Sequence, residues 1–392
     1  MRVGFFTRGL NERRFYGDKQ VLLMLINGLK ELGHKAFISD NPEQILSCDH
    51  IFLSNIIYNL SSHYNLLKLF DRPYNLVSFH EDVIKYFGPA TAFYNAIAQS
   101  LKGDHPYFNL EHLMHAPDHI LFFSTFPRNE PLLNYEVIKN AKLCMANTPT
   151  EKETILRDCP SAKVACVPLG PGFLTEERYD ESDAFLTLSG LKSKDYILQI
   201  GRFSTRKNQL GSILATKDLD VPLVFIANYP GCKGYTKTCY KAATKWRKAP
   251  TLIFSSTIEP YEEGPLKVIR VPTEWALSHD LVLSAYQHAG LYLHPAFMEL
   301  PGFVSLEAAK LGIPSVASSW TTLKDYFTDP KTGEYTLDER IAYVDKPYDI
   351  NAITSSVEAM FGKSFPQGEH PTFSRREKAM AEDLLQALQG SP

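Results

Sequence analysis

Two rhythms alternate along most of this chain: short unbroken apolar runs, and longer stretches in which apolar residues recur every three or four positions. Together they predict a repeating strand–helix order. Arg2 to Thr7 reads as a short buried strand followed by a loop to Gly17. From Asp18 the period becomes helical, with Val21, Leu22, Leu25, Leu29 and Leu32 on one face and Gly33 ending the run. Further strands are expected at Asp49 to Leu53, Asn75 to Phe79, Ile120 to Ser124, Lys142 to Ala146 and Lys163 to Val167, with a helical pattern around Tyr58 to Phe70. A second series begins at Tyr196 with a strand to Gly201 and a helix from about Gln209. It continues through strands at Pro222 to Ala227 and Val268 to Val271, a helix ending near Gly290, and an apolar run ending at Pro295. Phe303 to Leu311 suits a helix that Gly312 caps and Pro314 stops. Ser315 to Ser318 is a short strand, and Thr372 to Gln389 a charged amphipathic helix.

Between the two series the chain turns polar and acidic, with Glu176, Glu177, Asp180, Glu181 and Asp183 close together, the pattern of a solvated connector. The expected organisation is therefore a first domain over residues 1–172, a connector over 173–194, a second domain over 195–365 and a terminal helical segment over 366–392. A chain of 392 residues fits two ordinary cores better than one. Composition narrows the function without naming it: 44% hydrophobic and 22% charged residues mark a globular protein, and a net charge of -3 gives no reason to expect a nucleic-acid partner. The cysteines at 48, 144, 159, 166, 232 and 239 include no C-x-x-C pair and outline no disulfide framework, which favours a reducing compartment. The opening residues lack a signal-peptide pattern and no apolar run approaches spanning length. The expectation is a cytoplasmic protein that can still rest against a membrane surface through an amphipathic face.

The candidate chemistry gathers at predicted strand ends, where open parallel sheets place ligands. Glu299 and Glu307 stand eight positions apart, one in a loop and one just inside a helix, so both can face a ligand held at the helix N-terminus. The amides near Gly302, Phe303 and Val304 suit a phosphate there, and carboxylates beside a phosphate suit sugar hydroxyls. Arg202 and Lys207 bracket the turn after the strand at Tyr196 to Gly201, where two cations can converge on one anion. In the first half, His80-Glu81-Asp82 follows a strand, and Gly17 sits in a strand–loop–helix unit, by itself a weak phosphate-loop signal. His112, His115 and His119 have the spacing of one helical face, but Pro117 interrupts that helix. They read better as polar residues of an acceptor-side loop, together with Glu81 and Asp82, than as metal ligands.

The string Glu299, seven residues, Glu307, then Ala308-Ala309-x-x-Gly312-x-Pro314-x-Val316-Ala317-Ser318, resembles the donor-site signature of the retaining nucleotide-sugar glycosyltransferases of the GT-B fold, most closely glycosyltransferase family 4. Gly201-Arg202 … Lys207 is similar to the pair that binds the donor diphosphate in that family, and Gly17 to Ile38 is similar to its first βαβ unit. The resemblance is strong from Tyr196 to Phe327 and loose before Ala146. It implies an α/β architecture with two Rossmann-like domains facing each other across a cleft. It also implies transfer of a sugar from a UDP- or GDP-linked donor to a hydroxyl of a glycan, lipid-linked or protein acceptor, without a metal or other cofactor and with retention. In those terms Arg202 and Lys207 take the diphosphate, Glu307 the ribose, and Glu299 and His80 the transferred sugar. The terminal helix is expected to cross back onto the first domain. Glu299-Leu300-Pro301-Gly302 departs from the family's usual Glu-Gly-Phe-Gly, and the first loop has one glycine where two are common. A nucleotide-sugar epimerase of the same architecture and a non-catalytic sugar-binding subunit are the alternatives that the residues leave open.

Overall fold

Consecutive residues of the first strand, Val3 to Phe6, are all buried, which requires cover on both faces of a sheet and is the mark of parallel strands walled by helices. The computed structural model describes residues 1–7, 17–54, 60–102, 130–171, 182–227, 233–271, 279–300, 302–329, 332–337 and 339–390. The first half runs β1 (Arg2–Phe6), α1 (Gly17–Glu31), β2 (Lys35–Ser39), α2 (Pro42–Leu46), β3 (His50–Ser54), α3 (Ser61–Leu69), β4 (Asn75–Val77), α4 (Val83–Lys102), α5 (Glu130–Asn140), β5 (Cys144–Ala146), α6 (Pro149–Asp158) and β6 (Val164–Cys166). Its strands form one parallel sheet in the order β2-β1-β3-β4-β5-β6. The predicted strand at Ile120 to Ser124 lies outside the described residues.

The second half begins with α7 (Ala184–Ser189) and continues β7 (Ile197–Ile200), α8 (Gln209–Ala215), β8 (Leu223–Ile226), α9 (Lys233–Trp246), β9 (Thr251–Ser255), β10 (Tyr261–Glu263) and β11 (Leu266–Arg270). It proceeds through α10 (His279–Gln287), β12 (Leu291–His294), α11 (Phe303–Lys310), β13 (Ser315–Ser318), β14 (Ile341–Val344) and α12 (Ile350–Met360), and closes with α13 (Pro371–Ser374) and α14 (Glu377–Gln389). The sheet order is β10-β11-β9-β8-β7-β12-β13-β14, parallel throughout except for the β10–β11 pair. Strand order reverses between β7 and β12, the crevice where a doubly wound sheet receives a ligand. One stretch departs from the sequence reading: α7 lies inside the segment read as a solvated connector, and its Phe185 is fully buried against Tyr196 and Phe254. Acidic neighbours masked that single aromatic anchor.

Two elements join the halves. α14 lies along α1, with Met380, Ala381 and Leu384 buried in the same core as Val21 and Leu25. The approach is so close that a Cβ on Gly28 would overlap the Glu377 carbonyl oxygen. α4, which follows the fourth strand of the first sheet, runs over the second domain, where Tyr94 and Ala98 enter the core that holds Tyr235 and Cys239. A polar link adds to these: Thr150, at the start of α6, donates through its N–H and its hydroxyl to Asp325, both at 2.9 Å. That carboxylate thereby meets a helix N-terminus.

Candidate active site

The turn after β7 is built to hold two adjacent cations still. Ser204 Oγ accepts from the Lys207 N–H at 3.4 Å, shaping a single turn of 3-10 helix over Thr205–Lys207. Asn208 then takes a left-handed conformation (φ 57°), which asparagine tolerates better than most residues. Its amide donates to the carbonyls of Pro295 at 2.8 Å and Pro347 at 2.6 Å, while its oxygen caps α8 through Gly211 N–H at 3.1 Å. Gln199 donates to the Lys207 carbonyl at 2.9 Å, and the Phe297 N–H donates to the Arg206 carbonyl at 2.8 Å. The β7 and β12 loops are thus stapled together at the crossover, and Arg206 and Lys207 are fixed there.

Lys207 Nζ forms an ion pair with Glu299 Oε2, and the two side chains are 10% and 11% exposed. Burial opposes the Glu299 carboxylate, but Lys207 and Arg206 outweigh it and lower its pKa to about 2. Burial also lowers the pKa of Lys207, against the pull of Glu299. The two tendencies conflict. Direct contact with a carboxylate that stays ionised to such low pH makes the charged pair the form present at neutral pH. The backbone of Glu299 is held as well, since its carbonyl accepts from both the N–H and the hydroxyl of Thr322 at 3.2 Å. Next to the pair, His294 Nδ1 lies 3.0 Å from Ser305 Oγ. Burial and the Lys207 charge lower its pKa to about 3, so it is neutral.

Gly302 starts α11 in a left-handed conformation (φ 80°) that only glycine adopts without strain, and no side chain caps this end. Phe303 and Val304 form its first turn, and Pro301 lies outside the described residues. Glu307, one turn on, is 3% exposed and lies 3.2 Å from Tyr286 Oη, which also donates to the Val304 carbonyl at 2.9 Å. The sequence places both carboxylates of the Glu-x7-Glu string in one unit, and the structure buries both.

The first domain contributes the loop after β4. Thr148 caps α6, its Oγ1 accepting from the Glu151 N–H at 3.2 Å. The fully buried Glu151 carboxylate accepts from Ser78 Oγ (2.6 Å), His80 N–H (2.7 Å) and Asn147 N–H (2.6 Å). This clamps Phe79 in its left-handed turn (φ 50°), and of the next three residues the outer two turn to the end of α6 while the middle one turns away. His80 Nε2 lies 2.7 Å from Asp158. Asp82 accepts from Arg157 at 2.7 Å. Glu81 instead crosses to the second domain, where it pairs with Arg206 and accepts from Tyr86 Oη at 3.1 Å. Burial works against the Arg206 charge, but Glu81 and Glu299 more than offset it and raise its pKa.

The predicted residues thus divide. Lys207, Glu299 and Glu81 meet in one cluster, and Glu307 lies behind it on α11. Arg202 is exposed, and Arg206, which the sequence reading did not single out, occupies the cluster beside Lys207. Gly17 is the first residue of α1, after a loop outside the described residues, and His112 and His115 also lie outside them. Arg206, Tyr86 and Glu151 went unassigned, although the Thr-x-x-Glu spacing of Glu151 was legible. Among the described residues no His, Cys, Asp and Glu side chains group as a metal site, and no helix is long and apolar enough to cross a membrane.

No family model and no curated protein matches the sequence. The fold, by contrast, has solved counterparts along its whole length. Sucrose-phosphate synthase from Thermosynechococcus elongatus superposes with a TM-score of 0.60 at 12% identity, covering 99% of this chain and 97% of that one. HepE from Anabaena, in complex with UDP and glucose, gives 0.55 at 12% identity over 100% and 96%. WaaG, a glycosyltransferase involved in lipopolysaccharide biosynthesis, gives 0.54 at 15% identity over 99% and 95%. Two parallel-sheet domains arranged in this way constitute the GT-B fold.

Proposed function

We propose that this protein is a glycosyltransferase that moves a sugar from a nucleoside-diphosphate donor to an acceptor hydroxyl in the space between its two domains, with retention of configuration. The observation that carries the reading is the Lys207–Glu299 pair at the crossover of the second sheet, opposite Glu81 of the first domain. Supporting it are the Gly201-Arg202 … Lys207 and Glu-x7-Glu strings and the GT-B neighbours, one of which holds UDP and glucose.

Cleavage of the bond between the sugar's C1 and the diphosphate leaves negative charge on the leaving group, which preorganised cations stabilise. Lys207 and Arg206 lie where that charge develops, and exposed Arg202 completes the set from the rim. A diphosphate at Lys207 takes over the role that the Glu299 carboxylate holds in this structure, which frees Glu299 for the hydroxyls of the transferred sugar. Glu307 accepts from the ribose hydroxyls, and the amides of Gly302, Phe303 and Val304 face the diphosphate. His80, fixed by Asp158, contacts the sugar from the first domain. The donor is UDP- or GDP-linked, the acceptor a glycan, lipid-linked or protein hydroxyl, the setting the cytoplasm, and no metal takes part.

The test is a panel of UDP- and GDP-sugars incubated with candidate acceptors, with released nucleoside diphosphate as the readout. One donor is expected to be consumed, and Lys207→Ala to slow its consumption at least tenfold, because a charge-assisted hydrogen bond contributes about 1.5–3 kcal/mol. Equal rates for both proteins overturn the assignment of Lys207, and no consumption of any donor overturns the reaction.

A further inference from the structure

Glu81 is 6% exposed and belongs to the first domain, yet its strongest partner belongs to the second. Its Oε1 takes the Arg206 guanidinium and its Oε2 the Tyr86 hydroxyl. The Arg206 carbonyl in turn holds the Phe297 N–H, two residues before Glu299. One chain of bonds therefore runs from the end of β4 to the loop that carries the Glu299 carboxylate.

Cohesion between the domains does not require this pair. α4 already packs Tyr86 and Ala90 against Phe297, Met298 and Leu300, and Phe93 meets the Phe297 ring at 6.0 Å. A buried ion pair adds little stability over apolar groups of the same size; its attested use is to fix one arrangement among several. Arg206 has two carboxylates within its field, Glu81 first and Glu299 second. With Glu81 neutral, the guanidinium competes with Lys207 for Glu299.

We infer that Glu81 is a positioning residue of the donor site: by engaging Arg206 it leaves Glu299 to Lys207 and ties the 297–300 loop to the first domain. The consequence for nucleotide affinity rests on the reaction proposed above. The consequence for the loop does not.

Glu81→Gln keeps the size of the side chain and an acceptor for Tyr86, and removes the charge. Hydrogen exchange of the Phe297 amide is expected to rise about tenfold in this variant; an unchanged rate overturns the inference whatever the protein binds. Calorimetry with UDP and with GDP supplies the second arm. Glu81→Gln and Arg206→Gln should each weaken the preferred nucleotide about fivefold or more, and the double variant should bind no more weakly than Arg206→Gln alone, since Glu81 acts through Arg206. Arg206→Lys, which keeps the charge and loses the planar fork, should fall between parent and Arg206→Gln. Independent, additive losses overturn the route through Arg206. If the parent binds neither nucleotide, the donor reading fails while the exchange result still decides the positioning claim. Should Glu81→Gln not fold, Arg206→Gln removes the same pair from the other side and carries the exchange measurement.

Discussion

Lys207→Met removes the ammonium from the buried pair and leaves the Glu299 carboxylate at 11% exposure with Arg206 committed to Glu81. Loss of one partner from a buried pair costs about 3–5 kcal/mol, and the carboxylate escapes that cost by taking up a proton. Protonating a carboxyl of ordinary pKa 4.5 costs about 3 kcal/mol at pH 7 and under about 1 kcal/mol at pH 5, at 1.36 kcal/mol per pH unit. The parent behaves oppositely. Its Glu299 pKa is lowered to about 2, so the contribution of the pair is complete above 4.5, fades as pH falls from there and is gone below 2. The variant's deficit relative to the parent should therefore be about 2–3 kcal/mol larger at pH 7 than at pH 5. Lys207→Met combined with Glu299→Gln should return to within about 2 kcal/mol of the parent at both pH values. Urea unfolding followed by tryptophan fluorescence reads the relevant half of the molecule, because all three tryptophans, Trp246, Trp275 and Trp320, fall in the second half of the sequence. Equal destabilisation of the single variant at both pH values, or additive losses in the double variant, would refute the buried pair.

Gly28→Ala sets two effects against each other. Helix propensity favours alanine by about 1 kcal/mol, whereas the new methyl group overlaps the Glu377 backbone and comes within 2.9 Å of Ala381 Cβ; overpacking of this kind costs about 1–3 kcal/mol. Because backbone must move, the loss should win, with α14 becoming easier to cleave by protease; a more stable variant would mean that the two helices do not pack this closely. Glu307→Gln should weaken nucleotide binding about tenfold, since it removes the charge that a ribose hydroxyl pair would meet. Equal calorimetric affinity would make Glu307 a structural partner of Tyr286 alone. EDTA should leave turnover unchanged, as the cations at the crossover are side chains. Loss of activity restored by one divalent ion would reverse that assignment.

The alternation of apolar runs and helical periods exposed most strands, because buried parallel strands are nearly all apolar and end at polar rims. Ser315–Ser318 was readable to the residue, since Pro314 and a row of polar residues bound it. α4 was not, although Tyr86, Ala90, Tyr94 and Ala98 recur every fourth position on its buried face; Pro89 inside it is a misleading stop. The site was legible where backbone chemistry fixes it: glycines with positive φ at Gly201 and Gly302, and acidic and basic residues just past strand ends. What sequence could not convey is direction. His80, Glu81 and Asp82 are adjacent, yet only the clamp by Glu151 decides that the middle one crosses to Arg206. Arg202 and Arg206 are likewise equal in chemistry, and the 3-10 turn capped by Ser204 settles which guanidinium turns inward.

Proton NMR of the product formed from an α-linked nucleotide sugar tests the account most directly, because it reports transfer and its stereochemistry at once. Under the proposed reading Lys207 and Arg206 face the leaving diphosphate, while Glu81 is already bound to Arg206 and Tyr86. The departing phosphate can then accept the acceptor's proton on the same face. A new anomeric signal with α coupling, appearing as the donor is consumed, is the predicted result. A β-linked product formed directly, or no new linkage with any donor, would contradict it.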